Sequence, residues 1–128
     1  MTAMSNYLEN ALINATLRNT SYTSPSTVYV ALFTSDPTDA GSGTECSGSG
    51  YARQSATFSA PSNGSASTNA DVSFPQATGA WGTITHFGIF DASSSGNLLY
   101  HGALTASKTI ASGDLLKITS TNLTVTLA

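Results

Sequence analysis

The densest apolar run of the chain spans residues 81–104, WGTITHFGIFDASSSGNLLYHGAL. Two extended stretches, residues 83–90 and 98–104, flank a turn-rich segment at 91–97, where Gly96 and Asn97 tolerate positive φ. Strict alternation puts Phe87 and Ile89 on one face of the first stretch and Ile84, His86 and Phe90 on the other. In the second it sets Leu98, Tyr100 and Leu104 against Leu99 and Ala103. Both faces carry apolar residues, so this hairpin belongs inside a sheet covered on both sides.

Period-2 runs recur elsewhere. TVYVALFT at 27–34 is β-branched and aromatic, as in a central strand. YARQSATFS at 51–59 alternates, and 71–74 is a short strand closed by Pro75. Residues 105–110 continue the hairpin as an edge or connecting strand, and Leu116 and Ile118 share one face of the next. Leu123, Val125 and Leu127 alternate with threonines in a final half-buried strand. The segments 35–50 and 60–70, rich in Gly, Ser, Asp and Asn, read as loops.

One stretch has helical period. Leu8, Ala11, Leu12 and Ala15 recur at i, i+3, i+4, i+7 within residues 5–19, with Ile13 and Leu17 widening the stripe. Asn6 with Glu9 has the form of a capping box, Arg18 falls in the last turn, and Asn19 suits the C-terminal cap. The stripe fits either a helix that plugs one end of a β-core or a helix that docks on a neighbouring subunit. Met4 offers a second start codon, which would make residues 1–3 dispensable.

The pattern predicts an all-β protein: a single, jelly-roll-like β-sandwich of seven or eight strands with one N-terminal helix. Residues 1–20 form a helical arm and 21–128 the sandwich domain. At 128 residues the chain can bury an adequate core without staples. Composition changes this picture in one respect. Only 9% of residues are charged, against about 25% in an average domain. Scarce charge suits a surface that is covered by neighbours. The four basic residues, Arg18, Arg53, Lys108 and Lys117, are scattered, so neither a nucleic acid nor a membrane surface is expected as partner.

Candidate chemistry adds little. Cys46 is the single cysteine, in a flexible Gly-Ser loop that has no basic residue beside it. Asp36, Asp39 and Glu45 share a loop but lack the spacing of a calcium loop. His86 and His101 lie on the two hairpin strands without a third metal ligand nearby, and no nucleophile elbow accompanies Asp91. No enzyme, metal or cofactor is expected. Arg53 suits either a pair with an acid of the preceding loop or a contact with a partner. Trp81 suits a core edge or a sugar-stacking platform. Leu8, Leu12, Arg53, Trp81, His86 and Tyr100 are the candidate interaction residues.

SNYLENALINATLRNTSYTSPSTVYVALFTSDPTDAG near the N-terminus, GYARQ at 50–54, WGTITHFGIFDA at 81–92 and NLLYHGAL at 97–104 resemble a family of small tailed-bacteriophage proteins. These are commonly labelled tail-fibre or minor tail proteins, and the resemblance covers nearly the whole chain from Met4. It implies a virion component assembled in the bacterial host cytoplasm and assigns no role to a residue. Within that class, a short compact chain without a shaft favours a capsid decoration (cement) protein. It would bind the major capsid protein as a homo-oligomer, most readily a trimer. A tail-fibre, minor tail or baseplate accessory, bound to other tail proteins, is the alternative. A carbohydrate-binding module using Trp81 and the tyrosines is the further one.

Overall fold

The computed structural model describes residues 2–127. It is an all-β, sandwich-like domain with one helix. Chain order is β1 (Thr2–Met4), α1 (Asn6–Leu17), β2 (Val28–Phe33), β3 (Gln54–Ala56), β4 (Ser65–Ser67), β5 (Val72–Ser73), β6 (Gly82–Phe90), β7 (Leu98–Ile110), β8 (Lys117–Ile118) and β9 (Thr124–Thr126). Five strands form one antiparallel sheet in the order β1-β7-β6-β2-β3. The ribbons β4-β9 and β5-β8 form the second layer.

The main core lies between these layers. Val30 and Leu32 of β2 and Ile84, Phe87 and Ile89 of β6 meet Val72, Phe74 and Leu123 from the ribbon side, with Trp81 and Cys46 closing one end. Central strands need such two-sided burial, and β2 provides it by alternation. Val30 and Leu32 face the main core, while Ala31 and Phe33 face the opposite side with Phe90 and Leu98.

The hairpin faces differ from strict alternation in two places, each at a bulge. Between Ile84 and His86 the pairing slips, so that the two-residue step on β6 is matched by the five-residue step from Lys108 to Ala103 on β7. The phase of β6 reverses there, and Ile84 joins Phe87 and Ile89 in the main core. A second irregularity sits where Ile89 pairs with Tyr100 but Phe90 with Leu98. It leaves Leu99 as the extra residue and turns Leu98 to the face opposite Tyr100. Alternation counted along the sequence cannot register an inserted residue.

Other boundaries also shift. Residues 98–110 are one continuous strand, and the 51–59 run keeps only Gln54–Ala56 as strand, with Phe58 bridged to Thr68. Ser65–Ser67, inside a segment read as loop, pairs with Thr124–Thr126. Thr2–Met4 is a strand against β7. Its small β-propensity is outweighed by three register partners on β7, from Tyr100 to Gly102.

The helix is capped by Ser5 rather than by an Asn6–Glu9 box. The Ser5 hydroxyl accepts from the Leu8 amide at 3.2 Å and donates to the Leu98 carbonyl. Arg18 is the C-cap, and Asn19 follows it in the left-handed region at φ 52°. Leu8 alone of the helix is buried, and Leu12 is half-buried. Ile13 and Leu17 face outward, 52% and 79% exposed.

Candidate functional site

The second face of the five-stranded sheet is covered by the loop between β2 and β3 and by the start of α1. Its apolar floor is small: Ala31, Phe33, Phe90 and Leu98. Gly88 lies beneath it. A Cβ at that position would meet Leu98 at 2.9 Å and the Phe33 and Phe90 rings at 3.0 and 3.1 Å. The glycine therefore lets the two rings stack over the strand, with centroids 6.1 Å apart.

Because apolar contact is limited here, the loop is held by polar groups. The Arg53 guanidinium lies 3.7 Å from the centre of the Phe90 ring. It grips Glu45 with two parallel bonds, Nε to Oε2 at 2.9 Å and Nη2 to Oε1 at 2.8 Å. Its remaining nitrogen donates to the carbonyls of Ala92 and Ser95. Tyr51 completes the network by donating to Glu45 Oε2 at 2.7 Å and accepting from the Leu32 amide. Burial, and then the bond to the Glu45 carboxylate, push the Tyr51 phenol far above its ordinary range. Of the two readings of Arg53, the structure shows the pair with a loop acid. The side chain is only 9% exposed and belongs to a clasp joining loop, turn and sheet.

A second clasp lies at the other end of the loop. His101, on β7 and buried, donates from Nε2 to Asp39 Oδ1 at 2.8 Å, since an ionised carboxylate can only accept. The Asp39 carbonyl accepts from the Asn6 amide at 2.9 Å, which joins the loop to the first turn of α1. Where α1, the loop and the 91–97 turn meet, they leave a cleft of about 420 Å³. Asn6, Tyr7, Asp39 and Asn97 line it above Phe90 and Leu98.

The candidate interaction residues do not converge. Leu8 is covered by the protein itself. Trp81 is 5% exposed, its indole N–H donates to the Ser49 carbonyl, and Tyr51 meets it edge-on. A sugar cannot stack on a ring so enclosed, and that reading of Trp81 is corrected. His86 is half-buried and shares a 2.8 Å hydrogen bond with Thr85. Tyr100 is half-buried on the ribbon side, in an apolar slot of about 170 Å³ with Phe58 and Val125, and burial raises its phenol above the ordinary value. No sequence signal joined the cleft residues to one another. Asn6, Asp39 and Asn97 come from three segments that only the folded chain brings together.

By its fold this is a small antiparallel β-domain whose loops are fastened by its own charged side chains. The family described as "Podophage GP4 fiber I protein gp80" matches residues 3–126, and the chain belongs to that family. It is therefore a fibre-type structural protein of a bacteriophage virion. No curated protein matches the chain.

Proposed function

We propose that the chain is a non-catalytic building component of a podophage tail fibre, bound to other tail proteins and to further copies of itself. The family description over residues 3–126 carries this reading, and it favours the tail over the head-decoration role suggested by compactness. Scarcity of charge and the outward Ile13 and Leu17 support self-association into a closed homo-oligomer, a trimer in the reading favoured from the sequence. A role for residues 1–20 as a docking arm rests on the same exposed helix face. Gold-labelled antibody on intact particles tests the location. A handful of labels at the tail is the expected result. Label spread over the head would return the decoration reading. Sedimentation of the purified chain tests the oligomer, and a monomer at all concentrations would refute it.

A further inference from the structure

We propose that the open edge of β7, residues 103–109, takes an extended acidic and apolar segment of another tail protein as an added strand. The proposal rests on the tail-fibre reading for the source of that segment, and on the structure for its place. β7 is 13 residues long, but β1 covers its outer edge only from Tyr100 to Gly102. There β1 also shuts the sandwich, since the Thr126 amide of β9 donates to the Thr2 hydroxyl at 3.1 Å. Beyond Gly102 no strand among the described residues pairs with that edge. The gap between the layers continues there as a slot of about 400 Å³ between β7 and β8. Leu104, Leu116 and Ile118 pack on the main core and line this slot, each only half-buried. A second cleft of about 360 Å³ shares Lys108, Leu116 and Lys117 with it and carries it on to Ile110. An added strand would fill the gap with alternate side chains and bond the free edge through its backbone.

Charge selects the segment. Two of the four basic residues, Lys108 and Lys117, line the slot in a chain whose net charge is −3. Lys108 pairs with Ile84, which faces the main core, so its side chain leaves the sheet on the slot side. It has no ion-pair partner among the described residues, and Lys117 has only the half-exposed Asp71, at 3.7 Å. A second copy is the wrong occupant, because two such edges side by side would gather the lysines of both copies along one seam. Residues 104–107 act in the same direction. They have no register partner on β6, and an irregularity of this kind spoils a flat match between identical edges. An acidic strand meets neither obstacle. Its apolar side chains at inward positions would cover Leu104, Leu116 and Ile118, and carboxylates at the rim would answer the two lysines.

Amide NMR of the full, isotope-labelled chain tests it. The probe is an octapeptide of alternating valine and glutamate. One control has lysine in place of glutamate, and another has N-methyl groups on its backbone nitrogens. Shifts at the amides of 103–109 and 116–118 are expected at about 1 mM probe, with both controls about tenfold weaker. Lys108→Glu should remove the preference for glutamate, and Ala106→Trp, at an exposed position lining the slot, should weaken binding by a similar factor. Melting curves identify a variant that fails to fold, and the control peptides on the unaltered chain then decide the result. No shift at these amides, equal binding of the lysine peptide, or binding that survives N-methylation would overturn the proposal. So would protection of the 103–109 amides that grows with protein concentration in the absence of peptide, since a second copy would then cover the edge. Antibody label over the head, with peptide binding intact, would overturn the tail protein as source and leave the slot standing.

Discussion

The two faces of the five-stranded sheet are covered in different ways. Against one face lie two ribbons and more than a dozen apolar side chains, including Leu32, Ile84, Phe87 and Trp81. Against the other lie a loop, a helix start and a floor of four apolar residues. The first face is held by area, since each large side chain removed from water contributes about 1.5–3 kcal/mol. The second is held by placement, through two clasps, Arg53–Glu45–Tyr51 and His101–Asp39. A loop has no period with which to present an apolar face, so specific polar bonds take over.

Substitutions on each face can break this contrast. Phe87→Ala empties the centre of the ribbon-side core and should cost about 3–5 kcal/mol in urea unfolding. A loss under about 1 kcal/mol would mean that the ribbons contribute little to stability. Arg53→Ala leaves the Glu45 carboxylate with only the Tyr51 hydroxyl and no opposite charge, and should cost about 3 kcal/mol. Arg53→Lys should recover little, since an ammonium cannot grip both carboxylate oxygens and also reach Ala92 and Ser95. Full recovery by lysine would reduce the clasp to simple charge attraction. Gly88→Ala pushes a methyl group against the stacked Phe33 and Phe90 rings and should cost about 1–3 kcal/mol.

Alkaline pH sharpens the contrast at the seam between the faces. Burial, and next the Glu45 charge, lift the Cys46 thiol from 9.0 to about 11. The folded state thus holds this proton more tightly than the unfolded state does. Its stabilisation is complete below pH 9 and is lost as pH rises through about 11. The urea midpoint should fall across that window, and Cys46→Ala should flatten the fall; an unchanged slope would assign it to Tyr51 and the other buried phenols. The smallest effect is expected from Leu17→Ser on the outer helix face, within about 0.5 kcal/mol for the monomer. A larger loss, growing with protein concentration, would show that this face is covered by another copy.

Much of the fold is legible in the residues themselves. The hydrophobic period marks β2, β6, β7 and α1, because each buries a face wide enough to repeat. β1 and β4 escape this reading: TAM and SAS have too few apolar residues to show a period, and they are strands because β7 and β9 offer them backbone partners. Arg53 is a similar case. The sequence offered an acid in the preceding loop among its possible partners, but not the Phe90 ring or the two carbonyls of the 91–97 turn.

The sequence alone determined the all-β class, the single helix and the membership of a phage virion family, since these follow from local periodicity and from motifs that persist along the chain. Only the tertiary structure decided that Ile84 faces the main core, that Trp81 is enclosed, and that Asn6, Tyr7, Asp39 and Asn97 share a cleft. The physical reason is common to all three. A bulge, an enclosure and a cleft are relations between segments far apart in the chain, fixed by how strands pair and loops pack, and no local pattern of residues encodes them.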